Sequence, residues 1–158
     1  MKKTDIDPSL CNNVVLRQAA RRMGQIYDEV IAPSGLRATQ YGLLAQIAQL
    51  GEPTLTRLAE ALVMDLSALG HTLKPLVRDG LIEMVQDEQD KRAKRTRLTP
   101  LGVSKLNEAT LLWKNAQGSF ERAFGVARAA DLRTTLSYVA SEEFLRIFLQ
   151  KRAEAGPG

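Results

Sequence analysis

From about Leu10 to Ile31 hydrophobic positions recur at spacings of three and four, with Val14, Val15, Ala19, Met23, Ile26 and Val30 in one stripe. That period predicts an amphipathic helix. Pro33, Ser34 and Gly35 break it. A second helix is predicted from about Thr39 to Leu50, with Tyr41, Leu44, Ile47 and Ala48 on its buried face; Gly51 and Pro53 end it. Two short helices follow. Thr54 is placed to cap the first, which runs to about Val63 and turns Leu55, Leu58, Ala59 and Leu62 inward. Met64 and Asp65 make the turn. The second runs from about Leu66 to Asp79 with Leu69, Leu73, Leu76 and Val77 inward, and Gly80 stops it as a left-handed terminal residue.

After Gly80 the period shortens. Leu81 to Val85 reads as a strand, Thr96 to Leu98 as its partner, and the polar stretch from Gln86 to Arg95 as their connection. Thr99 and Pro100 then open a long helix, a cap followed by a first-turn proline, with Leu101, Leu106, Ala109, Leu112, Ala116 and Phe120 along its stripe to about Phe124. Gly125 interrupts it. A last helix is expected from about Ala129 to Lys151, carrying Leu132, Leu136, Val139, Leu145 and Phe148, and Ala153 to Gly158 read as a frayed tail. The predicted order is helix, helix, short helix, short helix, two-stranded ribbon, helix, helix.

The chain has 158 residues, enough for one domain with its own core and an added oligomerisation arm. No apolar run approaches the roughly 18 residues that would cross a bilayer. Lys2 and Lys3 are followed by Asp5 and Asp7 where a secretory signal would be apolar, so export is not expected. One cysteine, Cys11, leaves no internal disulfide, and the expected compartment is the reducing cytoplasm. A net charge of +4 permits a nucleic-acid partner without requiring one. The distribution is more informative: Lys91, Arg92, Lys94, Arg95 and Arg97 put five cations into seven residues, just after Asp87, Glu88 and Asp90.

Two short helices joined by a tight turn can lay the second in a DNA major groove about 12 Å wide. The reading helix must then keep one apolar face and offer small or polar residues on the other. Ser67, Ala68, His71 and Lys74 fall opposite Leu69, Leu73 and Leu76, and the helix N-terminus is a place for a phosphate. A ribbon tip bearing Lys91, Arg92, Lys94 and Arg95 can follow the backbone or push a cation into the minor groove. Asp90 is spaced to orient the Arg92 guanidinium through a salt bridge. Taken singly, the charge run is a solvated hairpin and His71 a solvated histidine; the combination in one order points to DNA. Catalysis is not expected. G-x-S-x-G, phosphate-loop and H-E-x-x-H patterns are missing, and one histidine with one cysteine gives no metal set, so neither cofactor nor metal is expected. A helical protein-interaction module is the remaining rival, and the basic ribbon discriminates against it.

Several of these segments resemble the MarR family of winged-helix regulators. Leu58-Ala59-Glu60 leading to Met64-Asp65 is similar to that family's first motif helix and turn, and Leu76 with Asp79-Gly80-Leu81 to the end of its recognition helix. Asp90-Lys91-Arg92 followed by Leu98-Thr99-Pro100-Leu101-Gly102 is similar to its wing signature. The resemblance covers about residues 10 to 150. It implies a mainly α fold, a winged helix-turn-helix with long flanking helices that form a dimerisation region: residues 1–50 as N-terminal arm and support, 51–99 as DNA-binding lobe, and 100–158 as C-terminal dimerisation helices. It further implies a homodimer on a palindromic double-stranded operator, repression by default, Arg92 as wing arginine, and Ser67, Ala68, Gly70, His71 and Lys74 as base- and phosphate-facing positions. Gly70 stands where the family often has threonine and His71 where it often has arginine, while Pro75 inside the reading helix is expected to bend it.

The resemblance also implies a releasing signal. Family members commonly bind a small aromatic or anionic effector between dimer arm and DNA-binding lobe, for which Arg17, Arg21, Tyr41 and Trp113 are the candidates here. Others oxidise a cysteine near the start of the first helix, which makes Cys11 a candidate redox sensor. In the organic-hydroperoxide-sensing branch the cysteine lies nearer the tyrosine that Tyr27 matches, at Asn13 here, and Ala38 takes the place of the second tyrosine.

Overall fold

A computed structural model describes residues 7–156. Lys2, Lys3 and Asp5, and Pro157 and Gly158 at the end of the expected tail, lie outside the described residues. The elements are α1 (Asn12–Ile31), α2 (Ala38–Leu50), α3 (Leu55–Ala61), α4 (Leu66–Arg78), β1 (Ile82–Gln86), β2 (Lys94–Leu98), α5 (Pro100–Phe124), α6 (Val126–Val139) and α7 (Glu142–Glu154), with single 3-10 turns at Pro8–Leu10 and Ala32–Ser34. This is the helix-turn-helix and ribbon order expected from the periodicity, with one helix more at the C-terminal end, and the mainly helical winged helix-turn-helix fold that the resemblance implies. The chain forms two compact units, residues 1–116 and 117–158.

The core of the first unit gathers Leu43, Leu44 and Ile47 of α2, Leu58 of α3, Leu69, Leu73 and Leu76 of α4, Leu81 and Ile82 at the ribbon, and Ala109 of α5. Burying one Leu or Ile side chain contributes about 1.5–3 kcal/mol. Such packing is why α3, at 7 residues far too short to persist alone, stays helical. Two expectations about the core shift. Ala48 and Val77 lie at the surface, and the core is filled instead by Leu43, Leu44 and Ile47 of α2 and by Leu69, Leu73 and Leu76 of α4.

The ribbon is antiparallel, with Ile82 opposite Leu98, Glu83 opposite Arg97, Met84 opposite Thr96, Val85 opposite Arg95 and Gln86 opposite Lys94. It is fastened to the helices at both ends. Thr96 N–H donates to the Pro53 carbonyl at 2.9 Å, and a single bridge joins Arg95 to Thr54. At the other end Thr99 N–H donates to Leu81 O at 3.1 Å, and its hydroxyl donates to Gly80 O at 2.6 Å. The same hydroxyl caps α5 by accepting from Gly102 N–H at 3.0 Å.

In the second unit the single expected C-terminal helix is two. Ser141 ends the first by donating to Tyr138 O at 2.7 Å and starts the next by accepting from Phe144 N–H at 3.1 Å. Helix continues to Glu154, so the expected tail begins later than Ala153. Only Ala129 is buried in α6 and no residue in α7.

Candidate nucleic-acid interface

The turn between α3 and α4 closes in a way the sequence did not announce. Met64 N–H donates to Ala59 O at 2.9 Å and Val63 N–H to Glu60 O at 3.1 Å. This is the paired closure that normally places glycine in the left-handed position. Here the residue is Val63, at φ 53°. Asp65 then caps α4, its carboxylate accepting from Ala68 N–H at 2.7 Å. The helix end expected to hold a phosphate therefore carries its own acidic cap.

Along α4 the structure keeps Ser67, His71 and Lys74 exposed, with Ala68 and Gly70 half-buried between them. Leu69, Leu73 and Leu76 are fully buried on the other side, so the two-faced reading of this helix holds. A Cβ added at Gly70 would meet nothing within 4 Å; no internal packing calls for glycine there. The helix runs unbroken through Pro75, which has no N–H to give the His71 carbonyl.

In the ribbon the organising residue is Asp87, only 4% exposed. One carboxylate oxygen accepts from Gln89 N–H and Asp90 N–H, both at 2.8 Å. The other accepts a hydrogen bond from Arg95 Nε–H. The backbone donors of Asp90 and Gln89, then Arg95, hold this carboxyl below the usual carboxylate range, against the opposing effect of desolvation. Arg95 Nη1 donates onward to the Glu52 carbonyl at 2.9 Å. Arg95, expected at the tip, thus sits in β2 and spends its guanidinium inside the fold. Asp90 also departs from expectation: its carboxylate accepts from the Arg92 backbone N–H at 2.9 Å. It shapes the turn rather than pairing with the Arg92 side chain. Arg97 is paired with Glu83 across the ribbon at 2.9 Å. Lys91, Arg92 and Lys94 are exposed, and among the described residues none of them forms an ion pair. Asp87 was not singled out from the sequence. Its one signal was an acid directly after a strand, where a carboxylate can collect loop N–H groups.

The effector candidates separate. Tyr41 and Trp113 stack at 6.2 Å and 28°, and both line a shallow apolar groove of about 380 Å³ with Met23 and Tyr27 of α1. Arg17 and Arg21 are exposed on α1 and do not line it. Cys11 is exposed at the start of α1, where its N–H donates to Pro8 O at 3.1 Å. Among the described residues no group of three or more His, Cys, Asp or Glu side chains could hold a metal ion, and no helix is long and apolar enough to cross a membrane.

Comparison with known proteins agrees with this geometry. Residues 36–94, which hold α2, both motif helices, β1 and the ribbon connection, match the MarR family model. A stretch of 84 residues is 31% identical to the multiple antibiotic resistance protein MarR of Salmonella typhimurium, over 53% of this chain and 58% of that protein. The match thus spans little more than half of that relative's length. The M. tuberculosis transcriptional regulator MosR, solved in complex with DNA, superposes with a TM-score of 0.74 at 32% identity, covering 82% of this chain and 93% of that one. The PcaV transcriptional regulator of Streptomyces coelicolor, solved with its natural ligand, shares the fold at a TM-score of 0.75 and 18% identity, covering 87% and 97%. With a two-faced reading helix, a basic antiparallel wing and these relatives, the chain belongs to the MarR family of winged helix-turn-helix transcriptional regulators.

Proposed function

We propose that this protein is a sequence-specific DNA-binding repressor that acts in the cytoplasm as a homodimer on a palindromic double-stranded operator and lets go when a small aromatic or anionic effector binds. The observation that carries the reading is one core unit presenting two unengaged features. These are the exposed Ser67, His71 and Lys74 of α4 and the unpaired Lys91, Arg92 and Lys94 of the wing. Side chains that the fold leaves without partners, on a helix narrow enough for the major groove and on a basic tip, suit base edges and phosphates respectively. That MosR, 32% identical, was solved in complex with DNA supports DNA as the partner.

The dimer rests on apolar surface that the chain leaves uncovered. Val15 and Ile26 of α1 are 45% and 44% exposed, and Leu145, Phe148 and Leu149 of α7 are 48%, 54% and 49% exposed. Large apolar side chains left uncovered along a helix suit association surfaces. The division of labour is residues 1–50 as arm and support, 51–99 as DNA-binding lobe and 100–158 as dimerisation helices. For the effector, the Tyr41–Trp113 groove offers aromatic walls. A second reading, oxidation as the releasing signal, is favoured only by the exposure of Cys11.

Fluorescence anisotropy on the intergenic DNA beside the protein's own gene tests this, with excess non-specific competitor and with Arg92→Ala alongside. Tight competitor-resistant binding that Arg92→Ala weakens by about tenfold or more is the expected result. Loss of binding with hydroperoxide and recovery with thiol reductant transfers the signal to Cys11; indifference to peroxide leaves the aromatic groove as the site to screen. If neither that DNA nor a random DNA pool yields a bound sequence, the regulator reading is wrong and a protein partner takes its place.

A further inference from the structure

The α3–α4 turn and the first residue of α4 form an apolar edge beside the exposed polar residues of α4. Val63 is 69% exposed and Leu66 is 55% exposed, on either side of the Asp65 cap. Both residues are anomalous. Val63 holds the left-handed position of the closure between α3 and α4, where a β-branched side chain is strained and glycine would not be. Leu66 is the first residue of α4 and heads the row Leu66, Gly70, Lys74. Gly70 has no side chain, so nothing next in that row covers Leu66. A chain under selection for stability alone would place glycine at 63 and a polar residue at 66; strain and exposed apolar area kept together at one spot call for a partner there.

The surroundings indicate which partner. Leu66 stands beside the exposed Ser67 in the first turn of α4 and heads the row that the exposed Lys74 continues, so a partner lying along that side of the helix comes within reach of Leu66 at its leading end. The major groove presents one apolar group to such a helix, the 5-methyl of thymine. We propose that Val63 and Leu66 are specificity-determining residues that pack on thymine methyls in the operator half-site. This rests on the regulator reading above and adds base identity to it: the half-site carries thymine where the helix N-terminus enters the groove, and the preference is for the methyl rather than for a hydrogen-bonding edge.

The test replaces thymine by deoxyuridine, which removes only that methyl. A preferred sequence is first selected from a random DNA pool with the full-length wild-type protein. Each thymine is then exchanged singly, and the duplexes are titrated with wild type, Leu66→Ala and Val63→Gly. At one or two symmetry-related positions wild type should lose about fourfold in affinity, the size expected for one buried methyl. Leu66→Ala should bind the thymine duplex less tightly and show no further loss on the deoxyuridine duplex. Val63→Gly should melt at a higher temperature than wild type yet bind more weakly, a combination that simple misfolding cannot produce. Wild type indifferent to every exchange, or Leu66→Ala retaining the whole methyl effect, overturns the proposal while leaving the regulator reading standing. Unchanged affinity in Val63→Gly also overturns it. A pool that yields no enriched sequence overturns both.

Discussion

The way α5 is laid against the start of the ribbon can be tested by adding a single methyl group. A Cβ built on Gly102 lies 1.9 Å from Leu81 O and 2.9 Å from its carbonyl carbon. Both obstacles are backbone, so no rotamer change relieves them. Reaching ordinary contact needs about 1.5 Å of separation between the first turn of α5 and Leu81. That same contact carries Thr99 N–H to Leu81 O at 3.1 Å and the Thr99 hydroxyl to Gly80 O at 2.6 Å, so the displacement strains or breaks both. Overpacking costs about 1–3 kcal/mol, and each lost hydrogen bond about 1 kcal/mol. Replacing a helical glycine by alanine returns about 1 kcal/mol. Gly102→Ala should therefore destabilise by about 2–4 kcal/mol and lower Tm by roughly 5–15 °C for a chain of this size. Thermal and urea unfolding followed by circular dichroism at one fixed protein concentration measure it, because a dimer's Tm depends on concentration. A variant within about 0.5 kcal/mol of wild type would refute the close packing of α5 on Leu81, since no flexible group is present to absorb the methyl.

Two further substitutions probe the reading helix and the wing. Gly70→Ala meets nothing within 4 Å and should stabilise by about 0.5–1 kcal/mol in urea unfolding, while operator affinity measured by anisotropy should fall if the added methyl stands on the face proposed to read DNA; unchanged affinity would remove Gly70 from that face. Asp87→Asn keeps the shape of the ribbon turn but loses the charge that Arg95 and two N–H groups meet. Since the folded carboxyl is held below its unfolded value of about 3.9, its stabilising effect is present above that value and lost as pH falls through the lowered one. Denaturation from pH 7 down to pH 3 should show wild type ahead of Asp87→Asn at neutral pH and the gap closing in acid; a gap that stays constant across that range contradicts the assignment.

The parts of this molecule that could be read in advance share a physical cause. Periods of three and four or of two, a cap and a glycine stop are local properties, and so α1 to α5 and the ribbon emerge within a few residues of their observed ends. What escaped depended on groups distant in the chain or absent from it. Arg92 and Arg95 are the same residue three positions apart. Only the register, which sets Arg95 opposite Val85, returns its guanidinium to Asp87 and to the Glu52 carbonyl 43 residues back. Arg92, in the connection, stays in solvent. The break at Ser141 escaped for the opposite reason: the serine forms its own stop and start within three residues on each side, too local to interrupt a stripe of leucines that continues across it.

The α1 stripe makes the same point about association. Its spacing is a property of the chain, and it correctly announces a helix with an apolar side. Yet Ile31 is the only α1 residue buried, and Val15, Leu16 and Ile26 face solvent. An amphipathic pattern states that a face must be covered without stating by what. In α4 the covering comes from this chain's own α2, α3 and ribbon; in α1 it reaches Ile31 and part of Tyr27 but not Val15, Leu16 or Ile26, and in α7 no residue is buried. Uncovered apolar positions on helices of this length suit the proposed second copy, which would meet each such helix with the same residues, as an isologous two-fold interface requires. A two-fold axis of that kind would also repeat α4 and the wing, which is the arrangement the proposed palindromic half-site pair needs.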